Sequence, residues 1–184
     1  MAESKNGPWT ILSKKKIYSN PWIDVEHHEV IQPSGGHGIY GTVHFKNLAI
    51  AILPLDEEGN TWLVGQHRFP LRQYSWEIPE GGAPNGESPI EAAKRELREE
   101  TGLMAQSWEK ILEMHLSNSV TDERAIAFIA RGLTQGPSAP EGTEDISLKK
   151  VPFDQVYQDV IRGQITDALT VATVLRAKLL MHLL

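Results

Sequence analysis

Residues 81–103 read G-G-A-P-N-G-E-S-P-I-E-A-A-K-R-E-L-R-E-E-T-G-L, and this stretch predicts a helix with a defined start and end. Ser88 suits the N-cap, Pro89 the first helical position, and Glu91, three residues after the cap, completes a capping box. Gly102 suits the left-handed position that ends a helix. At about 100° per residue, one side of this helix can pack on a core, and it carries Ile90, Ala93, Leu97 and Thr101.

The neighbouring side of the predicted helix is acidic, with Glu96, Glu99 and Glu100 spaced i, i+3 and i+4. Like charges at these spacings cost an isolated helix roughly 0.2–0.5 kcal/mol per pair. A hard divalent cation removes that repulsion, and Mg²⁺ is typically held by a few carboxylates together with substrate phosphates and water. The alternative is a solvated helix face on which nearby lysine and arginine residues balance the acids.

The stretch also matches the pattern G-x5-E-x7-R-E-U-x-E-E-x-G-U, with U an aliphatic residue, at all nine fixed positions. This pattern is the Nudix box, so the chain resembles the Nudix hydrolases. The resemblance implies that Glu96, Glu100 and also Glu99 hold Mg²⁺, or alternatively Mn²⁺. It further implies that Arg95 braces these glutamates and that Glu80, just before the box, lends its main-chain carbonyl to a metal.

The composition sets bounds on the class of protein. A chain of 184 residues can bury one sizeable core, with a small N-terminal extension. The net charge of −6 argues against a broad nucleic-acid surface, and the absence of cysteine excludes disulfides and is compatible with a cytoplasmic protein. The apolar run at 168–184 is interrupted by charges and is short for a membrane span, so it predicts a packed amphipathic helix.

The pattern of strands and helices favours the α/β class, here an α+β mixed sheet with helices on both faces. That is the α/β/α sandwich of Nudix proteins, preceded by an antiparallel β extension. We predict an N-terminal extension at 1–44 and a hydrolase domain at 45–184. A hairpin is expected from 48–53 and 61–64. Other strands are expected at 9–18, 22–32, 38–44, 74–78, 108–115, 123–130 and 146–151, and helices at 153–162 and 166–184, the last capped by Thr166 or Asp167.

Several segments outside the box resemble the ADP-ribose and nucleoside-diphosphate-sugar pyrophosphatase branch. Residues 63–68 resemble its strand ending in Q-x-R, and residues 76–81 resemble its E-I-P-A-G. In that branch a similar N-terminal sheet builds a homodimer, which the resemblance therefore implies here. Asn118 stands where the ADP-ribose enzymes have a proline, so another nucleoside diphosphate sugar is as good a candidate substrate as ADP-ribose.

The same resemblance implies a set of site residues. The catalytic base comes from a late acidic loop, with Glu144 the first candidate and Glu141 the second; an ordinary loop acid is the alternative. Arg68 pairs with a phosphate unless it forms a surface salt bridge, and Trp22 stacks on the nucleobase unless it packs in the core. The remaining substrate-binding candidates are Gly82, Ser117, Asn118, Ser119 and Glu123.

The function that these residues imply is metal-dependent hydrolysis of the pyrophosphate bond of a nucleoside diphosphate sugar. The products are a nucleoside monophosphate and a sugar phosphate. The alternatives are a hydrolase of nucleoside triphosphates or dinucleoside polyphosphates and, from another class, a non-catalytic Nudix-fold ligand sensor. We expect a small-molecule substrate and neither a nucleic-acid nor a membrane partner.

Overall fold

A computed structural model describes residues 3–136 and 146–183 of the chain. The chain divides into two compact units: Met1–Asn47 with His115–Glu123, and Leu48–Met114 with Arg124–Leu184. The division into domains 1–44 and 45–184 stays a prediction. None of the described helices is long and apolar enough to cross a membrane.

The first unit is a four-stranded antiparallel sheet in the order β1-β2-β3-β4. Its turn between β2 and β3 is fixed by Asn20, whose side-chain oxygen accepts hydrogen bonds from the amides of Trp22 and Ile23 at 2.8 and 2.7 Å. The short first strand was not predicted from the sequence. The bounds are β1 Ser4–Asn6, β2 Trp9–Ser19, β3 Ile23–Ile31 and β4 His37–Phe45.

The second unit contains two sheets. In the mixed sheet, β5 runs parallel to β10 and antiparallel to β8, and β9 lies on the far side of β10. In the second sheet, β6 lies between β11 and β7 and is antiparallel to both. The bounds are β5 Leu48–Pro54, β6 Asn60–Arg68, β7 Gln73–Glu77, β8 Glu80–Ala83, β9 Leu103–His115, β10 Arg124–Gln135 and β11 Ser147–Pro152.

The predicted hairpin between 48–53 and 61–64 is wrong. A turn is present, since the Asp56 amide donates to the Asn60 carbonyl at 3.1 Å, but the two strands enter different sheets. Both edges of β5 are taken by β8 and β10, and both edges of β6 by β7 and β11. The local sequence encodes the turn, whereas the pairing depends on partners far along the chain.

Helices lie on both faces of the mixed sheet. Helix α1, Pro89–Thr101, packs its Ala93 and Leu97 on the face formed by Ile50 and Ile52 of β5. Alternate residues of a strand point to the opposite face, and α3, Ala168–Leu183, packs there against β5 and β10. Helix α2, Phe153–Ile161, lies against α3 and β11. The predicted mixed α/β fold class is confirmed, and the strands of the second unit are divided between two sheets.

The predicted helix ends are confirmed at three residues. The Ser88 hydroxyl accepts a hydrogen bond from the Glu91 amide at 3.3 Å, so it caps α1. Gly102 ends α1 at φ 70°, a left-handed conformation that glycine adopts without a steric cost. Asp167 caps α3 by accepting from the Thr170 amide at 2.7 Å.

Candidate active site

Arg95 organises the acidic face of α1. Its Nε and Nη2 donate to the two carboxylate oxygens of Glu87 at 3.1 and 2.9 Å, and its Nη1 donates to Glu96 and Glu99 at 2.8 and 2.9 Å. Nη2 also donates to the Gly82 carbonyl at 2.9 Å. These bonds use all five N–H donors of a guanidinium, so Arg95 holds other groups of the box in place and has no donor left for a substrate.

Glu100, the last glutamate of the box, is hydrogen-bonded to the strand that precedes the helix. Glu100 is 6% exposed, and its carboxylate accepts the Glu80 amide at 2.9 Å. Gly81 lies directly against another box glutamate, since a Cβ on residue 81 would stand 2.2 Å from the carboxyl carbon of Glu96. Only glycine therefore fits at this position with Glu96 where it is.

The donor groups of the predicted metal site lie on the box and just before it, and their binding of a metal stays a prediction. They comprise the carboxylates of Glu96, Glu99 and Glu100 and the main-chain carbonyl of Glu80, all oxygen donors of the kind that Mg²⁺ and Mn²⁺ prefer. The close packing of Gly81 under Glu96 places the start of β8 beside the acidic face of α1.

A second acidic group lies at the entrance to β8. Within residues 3–136 and 146–183, Glu77, Glu80 and Asp167 bring one oxygen each within 4.8 Å of one another. Burial raises the pKa of the Glu80 carboxyl well above its ordinary value, and the nearby charges of Asp167 and Glu77 add to the effect. The sequence analysis missed Glu77 and treated Asp167 only as a helix cap, although Glu77 is the glutamate of the quoted E-I-P-x-G segment.

Arg68 is held by this acidic group. Its Nε donates to both carboxylate oxygens of Glu77 at 3.0 Å, and its Nη2 donates to Glu77 and to Glu80. The side chain is 33% exposed and lines a cavity of about 230 Å³ together with Leu71 and Asp167. Arg68 therefore forms salt bridges, but with the largely buried carboxylates of Glu77 and Glu80 and not at the surface as the alternative had it; the phosphate contact stays a prediction.

Apart from Gly82, which lies on β8 of the second unit, the other predicted substrate residues belong to the first unit. Asn118 and Ser119 line a cavity of about 580 Å³ within that unit. Tyr40 fixes their loop by donating its hydroxyl to the Ser119 carbonyl at 2.6 Å. Ser117 begins the turn, since its carbonyl accepts from the Thr121 amide at 2.8 Å.

Two further candidates in the first unit differ in exposure. Trp22 is 64% exposed, so the alternative of core packing is wrong, and its stacking on a nucleobase stays a prediction. Glu123 is partly buried, and this burial, reinforced by the charge of Asp122, raises the pKa of its carboxyl. The two candidate bases, Glu144 and Glu141, lie outside the described residues.

The fold and the box geometry define a class of protein, and comparison with known families agrees. The NUDIX domain family matches residues 45–169, which is more than half of the chain, so the chain belongs to the Nudix family. Residues 9–43 match a second family, the nucleoside diphosphate sugar hydrolase N-terminal domain.

Individual relatives are similar over most of the chain. An ADP-ribose pyrophosphatase from Mycobacterium tuberculosis is 30% identical over 168 residues, covering 89% of this chain and 80% of the relative. An ADP-ribose pyrophosphatase from Bacillus subtilis is 32% identical over 161 residues, covering 86% of each. A solved structure described as an ADP compounds hydrolase superposes with a TM-score of 0.85 over 97% of both chains at 20% identity, which supports the fold.

Proposed function

We propose that the protein hydrolyses the pyrophosphate bond of a nucleoside diphosphate sugar to a nucleoside monophosphate and a sugar phosphate. The observation that carries the proposal is the Arg95 network, which gathers three glutamates and the Gly82 carbonyl of an intact Nudix box. The match of residues 9–43 to a nucleoside diphosphate sugar hydrolase domain supports the substrate class.

The proposed cofactor is Mg²⁺, for which Mn²⁺ can substitute, held by Glu96, Glu99, Glu100 and the Glu80 carbonyl. When bound, such an ion neutralises charge on the phosphate oxygens and lowers the pKa of a coordinated water. The role of Arg95 is to keep the box glutamates oriented before substrate arrives, because the pairs at i, i+3 and i+4 would otherwise repel one another.

The remaining roles are proposed for residues outside the box. Arg68 orients the diphosphate through charge-assisted hydrogen bonds, for which Glu77 and Glu80 must share or release its guanidinium. Trp22 offers an exposed ring face to the base. Glu144, or in second place Glu141, accepts the proton of the attacking water, a role that needs an ionised carboxylate within hydrogen-bond reach.

The first unit supplies further proposed substrate contacts. Asn118 and Ser119 line its cavity, and the carbonyls of Ser117 and Ser119 are already fixed by bonds within the unit. We propose that these residues and Glu123 contact the sugar or the base, and separately that Gly82 of the second unit contacts the substrate. Asn118 makes ADP-ribose and other nucleoside diphosphate sugars equal candidates.

The decisive experiment is a substrate panel with the products identified. The protein is incubated with Mg²⁺ and ADP-ribose, ADP-glucose, GDP-mannose, UDP-glucose or several nucleoside triphosphates. A coupled phosphatase then releases phosphate from the monoester products of the diphosphate sugars, and for the triphosphates inorganic pyrophosphatase, in its place, cleaves any pyrophosphate released. We expect turnover of at least one diphosphate sugar at a kcat/KM well above that of any triphosphate. Turnover confined to triphosphates or dinucleoside polyphosphates would favour that alternative, and binding without turnover would favour a ligand sensor.

We further propose that the protein is a cytoplasmic homodimer that pairs through the four-stranded sheet of its first unit. Large apolar side chains on these strands are exposed, among them Ile17 at 58% and Ile39 at 68%, and exposed apolar area of this kind marks interaction surfaces. Light scattering at micromolar concentration should give the mass of a dimer. A fully active monomer at that concentration would contradict the proposal, and replacing Ile39 by Lys should raise the dissociation constant.

A further inference from the structure

The junction between β7 and β8 carries the chain from one sheet of the second unit to the other. Glu77 ends β7, and Glu80 begins β8 opposite Ala51 of β5. Between them stand Ile78 and Pro79, and proline has no amide hydrogen. The backbone can therefore be fixed through N–H donors at only two points here, the amides of Ile78 and Glu80.

Each of these two amides is held by a side chain from a different helix. The Glu80 amide donates to the carboxylate of Glu100 on α1 at 2.9 Å. The Ile78 amide donates to the hydroxyl of Thr170 on α3 at 3.1 Å. Ile78 and Thr170 are both 0% exposed, so water does not compete for this bond.

The first turn of α3 is itself fixed. The Thr170 amide donates to the Asp167 side chain at 2.7 Å, and the Val171 amide donates to the Asp167 carbonyl at 2.9 Å. The carboxylate of Asp167 also lies beside those of Glu77 and Glu80. The beginning of α3 therefore meets the junction at two points, one through a hydroxyl and one through a carboxylate.

A displacement of Ile78 passes directly to the start of β8. Pro79 has a fixed φ and restricts the conformation of the residue before it, so the two residues move as a stiff unit. The Pro79 carbonyl accepts from the Ile52 amide at 2.8 Å, which pins the unit to β5. The backbone just before the Glu80 carbonyl is therefore fixed by three bonds, made by the Ile78 amide, the Pro79 carbonyl and the Glu80 amide.

We propose that Thr170 is a positioning residue of the metal site: its hydroxyl fixes the Ile78–Pro79 unit and aims the Glu80 carbonyl at the metal. The proposal rests on the proposed function, because that function makes the Glu80 carbonyl a metal ligand. Thr170 touches neither metal nor substrate and acts through the backbone.

The same helix offers a matched control. Thr173 lies three residues further along α3 and is likewise 0% exposed. Its hydroxyl has no hydrogen-bond partner among the described residues. Thr170→Val and Thr173→Val make the same nearly isosteric change at equal burial, and only the first removes a bond to the junction. Thr170→Ser keeps the hydroxyl and tests for rescue.

The primary measurement is the affinity of the full-length protein for Mn²⁺ without substrate, read from the electron paramagnetic resonance signal of free Mn²⁺. Partners that orient metal ligands typically change metal affinity 10- to 100-fold. We therefore expect Thr170→Val to weaken Mn²⁺ binding about 10-fold, Thr170→Ser to return within about 3-fold of the unaltered protein, and Thr173→Val to match it. The Mg²⁺ concentration for half-maximal turnover should shift in the same order.

The outcomes separate the inference from the proposed function. Loss of thermal stability in Thr170→Val with unchanged Mn²⁺ affinity would reduce Thr170 to a structural role and overturn the inference. Equal weakening by Thr173→Val would do the same. If Thr170→Val does not fold, Thr170→Ala against Thr173→Ala decides between the same outcomes. An unaltered protein that binds no Mn²⁺ and has no turnover would overturn the proposed function, and the inference with it.

Discussion

Replacing Gly81 by Ala tests whether the box positions its glutamates as tightly as the packing implies. The new Cβ would stand 2.2 Å from the carboxyl carbon of Glu96, so that carboxyl group must retreat by about 1.2 Å to reach an ordinary 3.4 Å contact. A misplacement of about 1 Å can cost about 100-fold in rate, or about 2.7 kcal/mol in the barrier. We expect kcat to fall by about this factor with saturating Mg²⁺.

The fold should tolerate the same change, because the clash falls on the far end of a side chain. Moving Glu96 off its rotamer costs about 0.5–1.5 kcal/mol, which for a chain of this size lowers the melting temperature by roughly 1–6 °C. Gly36→Ala is the control, since a Cβ at residue 36, between β3 and β4, meets only the Gln32 Oε1 at 3.9 Å, an ordinary contact. A Gly81→Ala protein with kcat within about 3-fold of normal would refute the reasoning.

Three further predictions concern the acidic residues. Glu100→Gln should abolish hydrolysis and keep the fold, because the amide oxygen still accepts from the Glu80 backbone; unchanged turnover in saturating Mg²⁺ would remove Glu100 from the metal site. Glu80→Gln should stabilise the metal-free protein at pH values above about 4.5, the ordinary pKa of a glutamate carboxyl. Folding raises the pKa of Glu80, so its contribution to stability is complete below that value and is lost as pH rises through the raised pKa. The difference in melting temperature in EDTA should therefore widen with pH, and a constant difference would contradict this. Glu144→Gln should lower kcat far more than it changes KM, and Glu141→Gln should have a smaller effect. If Glu141→Gln has the larger effect, the two residues exchange roles. If neither change affects turnover, the base lies in the box, with Glu99 the first candidate.

Local features of the sequence predicted the box helix because its ends are encoded within a few residues. Ser88 caps it through the amide three residues on, and Gly102 ends it in a conformation that other residues adopt at a cost. Strand β8 was missed because its formation is not encoded within its own few residues. Its four residues include Gly81 and Gly82, which have low β propensity, and it exists because β5 offers it an edge.

What the sequence could not predict depends on contacts between distant segments. Asp167 and Thr170 reach the Glu77–Glu80 junction from about 90 positions away, and no periodicity in either segment encodes that meeting. The family resemblance favoured metal ligands at the box glutamates, which local physics alone left open between a metal site and a solvated helix face. It gave no indication that Glu77 and Glu80 would hold Arg68.

The parallel pairing of β5 with β10 has a consequence for how the protein is made. Ala49 pairs with Ala125, so the mixed sheet is complete only after the whole of α1 has been synthesised. About thirty more residues must therefore be synthesised before the sheet that covers the apolar face of α1 is complete. Pairings between distant segments are also slow to form. A nascent chain released just after Leu103 would carry every residue of the box on a helix without its complete sheet. We expect such a chain to bind chaperones rather than metal.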